Sequence, residues 1–575
     1  MADFRDPIRH VIVLMLENRS FDQMLGDLRR VRPDVDGIDR AHPNANLDPN
    51  TGKPVLQAPV AANTLPDGVD IGHEPENVEA QLALDGDPMS GFVRDLRSMP
   101  AGKDDALPAQ IMAYFPVGNS PSADTLPALH ALARNFVVCD KWYSSVPGPT
   151  WPNRLFALTG TSAGYRHMWS TSHPTAAPPV FSQDTIFDRF ADKALKARIY
   201  ASGLSMTTIL SRLWWHPSWR KGFDDFEEDA AAAEANFPAF AWIEPDYFGS
   251  DASDQHPPHD VMRGDAIVAR VYNTLRQNEA LWNSTLLIVT HDEHGGFYDH
   301  SKPPNATPPD DEAHDGFAFN RLGVRVPAVL VSPWLDRVAC HSTFDHTSVL
   351  RYLADKWQLK PLGRRAAAAN SIAEALSFLP APRTDVPATL TETKTRALVA
   401  PPKTLNATQE ALLHSIAVQE AALGTPSTRT ARRALTRFPG TPQQRYRDAL
   451  EAYNAIADHY RDLTAPRTLR VFCVHGVGHG DADPGWRDKW RATIAAQIAK
   501  QPNGGQWIVE AEFAEYDDIF DAYPLGPKEI AEAILRLTGG LIEGTPGGAK
   551  RGLFDALTSL DDRLRWTAGM VVQWI

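Results

Sequence analysis

The stretch from Thr285 to His300 constrains the fold more than any other part of the chain. It opens with a continuous apolar run, Leu286-Leu287-Ile288-Val289. It then turns at once to His291, Asp292, Glu293 and His294, and to the pair Gly295-Gly296. An uninterrupted apolar run of β-branched and leucine residues suits a strand buried on both faces, as in the parallel sheets of α/β proteins. The glycines allow a tight turn or a close backbone approach. Acidic and imidazole groups therefore stand where a central strand stops, and ligands bind at the carboxyl ends of strands in such sheets.

A second stretch repeats the arrangement. Ile8 to Leu16 reads as a buried strand that ends in Glu17-Asn18, and Arg19-Ser20-Phe21-Asp22 opens a helix. Further strands are expected at Phe136–Cys139, Ala197–Ala201, Phe240–Ile243 and Val326–Val331. Helices are expected from Val261 to Arg276 and from Phe344 to Leu353, with a helix start at Asn153–Leu158. Strands alternating with helices indicate an α/β sheet with helices on both faces. Residues 30–75, rich in Pro, Asp, Asn and Gly, read as a long surface excursion.

At 575 residues the chain is too long for one ordinary core. The composition shifts near 360–403 to alanine and proline, and a second α/β pattern starts at Leu469. Three parts follow: a catalytic domain at 1–360, a linker and helical connector at 361–465, and a partial α/β segment at 466–575. Helices are expected over 408–423 and 443–463. A net charge of −14 argues against a nucleic-acid partner, which calls for a basic face. Three scattered cysteines build no disulfide framework. The N-terminus lacks the basic and apolar regions of a secretory signal, and no apolar run is long enough to span a bilayer. The expectation is a cytoplasmic protein, or one exported by a route that reads no N-terminal signal.

Glu17, Asn18, Asp292 and Glu293 offer hard oxygen ligands that suit one divalent cation such as Mg, Ca or Mn; Zn also accepts carboxylates. Thr150, set among Pro147, Pro149 and Pro152, is a weak nucleophile that coordination to a metal would activate. His73, His256, His300 and His346, with Asn153 and Asp345, complete the candidate set. Taken singly, each residue has an ordinary reading: a solvated turn carboxylate, a helix cap, a satisfied histidine. Spacing alone leaves a metal-assisted hydrolase and those readings about equally placed.

Six motifs in order separate them: E-N-R-S-F-D (17–22), G-P-T-W-P-N-R (148–154), Q-H-P-P (255–258), D-E-H-G-G-F-Y-D-H (292–300), V-P-A-V-L-V-S-P-W (326–334) and F-D-H-T-S (344–348). Over residues 7–360 the chain resembles the bacterial phosphoesterase family of phosphatidylcholine-type phospholipases C and a respiratory-burst-inhibiting acid phosphatase. The resemblance implies an alkaline-phosphatase and arylsulfatase-like sheet flanked by helices. It implies one divalent metal on Glu17, Asn18, Asp292 and Glu293, and Thr150 as a metal-bound nucleophile passing through a phospho-threonine. His73, His256 and His346 would surround the phosphoryl group, one of them protonating the leaving alcohol. Asn153, His300 and Asp345 would contact substrate. His259, His291 and His294 are expected to be structural. The substrate is a phosphoester, with a phospholipid head group as one form of it. The chain departs from the haemolytic phospholipases in lacking their twin-arginine signal and their C-terminal modules, which keeps a phosphomonoesterase in the same site as the first rival.

The C-terminal segment, L-R-V-F-C-V followed by H-G-V-G-H-G (475–480), resembles the first strand and oxyanion-side loop of α/β-hydrolases. No G-x-S-x-G elbow follows between 481 and 575, so a complete esterase is not expected. A rival of another class is an exported toxin or adaptor in which this segment is the working part and docks a partner.

Overall fold

The computed structural model describes residues 6–393 apart from 67, 169–179, 217–218 and 249–251, together with 405–423, 467–475, 492, 507–514 and 568–572. The chain divides into two compact units, residues 1–214 with 219–457, and 215–218 with 458–575.

The first unit is built on an eight-stranded sheet. Its order runs Ala339–Cys340, Val137–Cys139, Ala328–Val331, Thr285–His291, His10–Leu16, Phe240–Glu244, Ala197–Ala201, Arg220–Gly222. The five strands from Thr285–His291 to Arg220–Gly222 are parallel. Ala328–Val331 runs antiparallel to both of its neighbours. The α/β expectation holds, as a mixed sheet flanked by helices.

The two central strands are buried at every position. Their side chains alternate between two cores, which is why the apolar runs are continuous. Val11, Val13, Met15, Leu286 and Ile288 face one core, with Trp151, Leu155 and Leu158 of helix Thr150–Thr159 and Leu350 and Leu353 of helix Thr347–Trp357. Ile12, Leu14, Leu16, Leu287 and Val289 face the other, with Leu129 and Leu132 of helix Pro127–Asn135 and Val268, Val271 and Leu275 of helix Val261–Arg276. Leu16 pairs with His291, so both strands deliver their next residues to the same edge of the sheet.

Three expectations change. The excursion at 30–75 carries an antiparallel hairpin, Ala45–Asp48 with Lys53–Leu56. Buried Asn46 ties it down by accepting from Phe92 N at 2.9 Å. The helix expected to start at Asn153 starts at Thr150. Pro152 is tolerated there because first-turn N–H groups have no intrahelical acceptor. Packing in the first unit continues past 360. Arg365 donates to the Ser145 carbonyl at 2.9 Å, and Gln409, on helix Ala407–Leu423, donates to the Tyr247 carbonyl at 2.6 Å.

In the second unit the described residues form a three-stranded sheet ordered Trp507–Ala514, Arg467–His475, Ala568–Val572, the first pair parallel and the second antiparallel. The helix expected at 443–463 and the glycine-rich turn after His475 lie outside the described residues. Among the described residues no helix is long and apolar enough to cross a membrane.

Ile288→Ala removes a fully buried side chain between the sheet and helix Thr347–Trp357. It is expected to cost about 2–5 kcal/mol, read from urea unfolding of the full chain.

Candidate active site

The residues just after the two central strands meet in the fold. Asn18 N donates to Asp292 Oδ1 at 3.1 Å, Arg19 N to the Glu293 carbonyl at 2.9 Å, and Asp292 N to the Leu16 carbonyl at 3.2 Å. Asn18 adopts a left-handed φ of 57°. Gly295, at φ +63°, passes so close that a Cβ there would stand 2.4 Å from the Asn18 carbonyl oxygen. That contact is the close approach the glycine pair serves.

Glu17, Asn18, Asp292 and Glu293 are fully buried. Both oxygens of Glu17, Oε1 of Glu293 and Nδ2 of Asn18 make no hydrogen bond. Buried polar atoms are nearly always paired, so such a cluster marks a place where something else binds. Burial, then Asp292, pushes the Glu17 carboxyl well above the usual range. Burial, then the Glu293 charge, pushes Asp292 up to about 6. In Glu293 burial is outweighed by His73 and its carboxyl is lowered; the resistance of Glu17 and Asp292 to ionisation fits a site completed by a cation. The donor set of three carboxylates and one amide suits a hard divalent ion.

Thr150 is the first residue of its helix and fully buried, and its Oγ1 donates to Asn18 Oδ1 at 3.5 Å. The helix N-terminus directs unsatisfied N–H groups toward the same place, an arrangement that favours anions. Asn153, expected to touch substrate, is occupied otherwise. It accepts from Val146 N at 3.0 Å and donates to the carbonyls of Val146, Gly148 and Pro149. It therefore fixes the loop that presents Thr150.

His73 and His256 stand together, rings 5.9 Å apart and edge to face. Burial lowers the His73 imidazole, but Glu293, Asp70 and Glu74 outweigh it and hold His73 up at about 9. Burial lowers His256.

The other three expectations move. His346 Nε2 donates to the Asp292 carbonyl at 2.7 Å, and its Nδ1 accepts from Trp142 Nε1 at 3.3 Å. Both nitrogens are used, and burial lowers the ring to about 4, so it is a neutral brace behind Asp292. Asp345 accepts from Thr347 N at 3.0 Å and from Arg365 Nη1 at 3.3 Å, so its carboxylate is taken up by the chain entering helix Thr347–Trp357 and by that arginine. His300 bonds Asp22 at 2.9 Å and Asp36 at 3.3 Å. It belongs to a separate ionic network in which Arg325 bridges Asp22 at 2.9 Å and Asp299 at 3.1 Å. His259, His291 and His294 bond Asp254, Gln255 and Gln81 respectively, and His294 Nδ1 also lies 3.3 Å from Glu293.

Sequence reasoning missed Arg154. Its Nε donates to Asp292 Oδ2 at 3.1 Å, Nη2 to the Met15 and Leu16 carbonyls at 3.3 Å, and its guanidinium lies 3.6 Å from Glu17. It stands one helical turn after Thr150, a spacing that was present in G-P-T-W-P-N-R. Asp254 was also missed: its carbonyl accepts from Glu17 N at 2.8 Å, and its Oδ2 is buried and unpartnered.

The model of the Phosphoesterase family matches residues 8–360. The chain belongs to that family. It is a hydrolase acting on phosphoric ester bonds. Among its relatives is non-specific phospholipase C6 of Arabidopsis thaliana, 36% identical over 417 residues, an alignment covering 68% of this chain and 76% of that protein. Phospholipase C B of Mycobacterium tuberculosis is 27% identical over 398 residues, covering 60% of this chain and 72% of that protein. Plant and bacterial proteins thus share the pattern. A protein in the alkaline phosphatase superfamily from Vibrio parahaemolyticus, solved to 1.95 Å, is 10% identical and covers 58% of this chain and 82% of that one at a TM-score of 0.28.

Gly295→Ala is expected to displace Asn18, costing about 1–3 kcal/mol of backbone strain and most of the hydrolytic activity, checked by thermal unfolding beside a phosphoester assay. His300 offers a pH test. Burial opposes its protonation, but Asp22 and Asp36 raise its pKa to about 10. A raised folded-state pKa stabilises fully below the unfolded value near 6.5, and the contribution fades as pH climbs through about 10. The Tm gap between wild type and His300→Gln should therefore be widest near pH 6 and narrow toward pH 10; a gap that widens with pH would contradict the network.

Proposed function

We propose that the chain cleaves phospholipid phosphodiesters in the manner of a phospholipase C, with Thr150 as nucleophile. One observation carries the reading: a buried threonine at a helix N-terminus donates to Asn18 Oδ1 at 3.5 Å, and Asn18 belongs to a buried cluster in which both Glu17 oxygens and Glu293 Oε1 make no hydrogen bond. The phospholipases C of plant and mycobacterium among the relatives support a diester over a monoester.

Glu17, Asn18, Asp292 and Glu293 would hold a divalent cation, which when bound lowers the proton affinity of a neighbouring hydroxyl and offsets charge on a phosphoryl group. Thr150 Oγ1 gives its proton to solvent water and attacks phosphorus. The P–O bond to the diacylglycerol oxygen breaks as that oxygen takes a proton from His73, and the phosphorylated head group stays on Thr150. Water then attacks that phosphorus, releases the head group as its phosphate monoester and restores the hydroxyl. The N–H groups at the start of helix Thr150–Thr159 receive phosphoryl oxygens. His73, held up at about 9 by Glu293, Asp70 and Glu74 against burial, supplies positive charge on the side of Glu293, with His256 beside it. Arg154 holds Asp292 in place while leaving both Glu17 oxygens and Glu293 Oε1 free of hydrogen bonds.

Thr150→Ala and Asp292→Asn should each lower hydrolysis of phosphatidylcholine by more than about a thousandfold, as removal of a nucleophile does, with unchanged circular dichroism. Chelation should abolish turnover and a divalent salt restore it. Full activity of Thr150→Ala would sink the nucleophile assignment. An aryl monophosphate hydrolysed faster than phosphatidylcholine would replace the diesterase with a phosphatase.

A further inference from the structure

The three cysteines are far apart in sequence, yet the sheet brings two of them face to face. Strand Ala339–Cys340 lies at the edge of the eight-stranded sheet and pairs in parallel with Val137–Cys139, Cys340 standing directly opposite Cys139. Neither sulfur is in a disulfide. Neighbouring strands run about 4.7–4.9 Å apart, inside the Cα separation of about 4.4–6.8 Å that a disulfide spans. Residues opposite each other in register project to the same face of a sheet, and both cysteines pack on the core that holds helix Thr150–Thr159. Their side chains meet there, the Cys139 thiol donating a hydrogen bond to the Cys340 sulfur. The backbone already stands where a bridge requires it.

The two sulfurs differ in reach and reactivity. Cys139 is fully buried, and burial, then Cys340, raises its thiol well above the ordinary range. Cys340 is half-buried at the sheet edge. The hydrogen bond from Cys139, with those from the Ser342 N–H and hydroxyl, outweighs burial and lowers Cys340 to about 6. A partly open, ionised sulfur is a nucleophile toward oxidants, and a thiol held beside it is the resolving partner.

The pair also sits at the root of a ribbon behind the site. Past it the two segments stay together: Asp140 N donates to the Cys340 carbonyl at 3.2 Å, Phe344 N to the Lys141 carbonyl at 2.9 Å and Tyr143 N to the Phe344 carbonyl at 2.9 Å. The ribbon carries Trp142 and His346, joined at 3.3 Å, and His346 braces Asp292.

We propose that Cys139 and Cys340 are a peroxide-sensitive dithiol that closes to a disulfide and staples this ribbon. The Cys340 thiolate attacks one oxygen of a hydroperoxide. The O–O bond breaks, the other oxygen leaves with its electron pair and takes back from solvent the proton Cys340 had shed, and Cys340 becomes a sulfenic acid. The Cys139 sulfur, giving up its proton, then attacks the Cys340 sulfur. The S–O bond breaks, and hydroxide leaves with that proton as water. The two thiols lose two electrons and the peroxide gains them.

The test uses no substrate. The full chain, reduced and then treated with hydrogen peroxide, is digested without reductant and its peptides weighed. Wild type should yield a species joining the peptides of Cys139 and Cys340, lighter than their sum by two hydrogen atoms, and dithiothreitol should separate them. Cross-linking residues about two hundred positions apart restricts the unfolded chain, so the oxidised wild type should unfold a few degrees above the reduced protein. Cys340→Ser should show neither the joined peptide nor the rise, with Cys139 still reduced. Cys139→Ala should stop at a sulfenic or sulfinic acid on Cys340. The wild-type peptide map decides the matter where a variant fails to fold. Both thiols surviving peroxide in wild type, Cys340 passing to the sulfonic acid with Cys139 still reduced, or either cysteine joined to Cys473 instead would overturn the proposal.

Discussion

The site depends on buried negative charge at the ends of two adjacent parallel strands. Glu17, Asp292, Glu293 and Asp254 are all withdrawn from water. Burying one ion costs several kcal/mol unless a partner compensates it. Arg154 meets part of this demand by engaging Asp292 directly and standing 3.6 Å from Glu17. It leaves oxygens of Glu17, Glu293 and Asp254 without hydrogen bonds. A fold selected only for stability would pair those groups or replace them with apolar ones. Buried acids with unsatisfied oxygens at the ends of the central strands are a local conflict of the kind proteins keep at functional sites.

One helix resolves the geometry. Helix Thr150–Thr159 carries the hydroxyl proposed as nucleophile on its first residue, the brace for the preceding loop on Asn153 and the counter-ion for Asp292 on Arg154. The apolar side chains between and beyond them, Trp151, Leu155 and Leu158, anchor the helix on the sheet. Hydroxyl, loop and guanidinium are therefore set relative to the acids by a single packed element, which is how a site keeps reacting groups within tenths of an ångström. A second buried ionic network, Arg325 with Asp22, Asp299 and His300, holds the chain after Asn18 against the chain after Glu293.

Much of this was legible. The continuous apolar runs announced strands covered on both faces, and the two cores bear that out residue by residue. Acids placed just after those runs had to fall on one sheet edge once the strands paired in parallel. Histidines were harder. His346 and His300 stand in motifs as conspicuous as that of His256, yet one braces a backbone carbonyl and the other serves an ion network. A histidine's role depends on which atoms face its two nitrogens, and sequence does not record that.

The sequence by itself determined the α/β class, the strands that end in ligand-type residues and membership in the Phosphoesterase family, because hydrophobic period and ordered motifs are local properties of the chain. The tertiary structure alone decided which polar groups meet. Arg154 and Asp292 are 138 positions apart, and His73 and His256 come from separate loops. Only the packing of helix Thr150–Thr159 and of those loops around one sheet edge settles which charges are compensated and which stay open to a ligand.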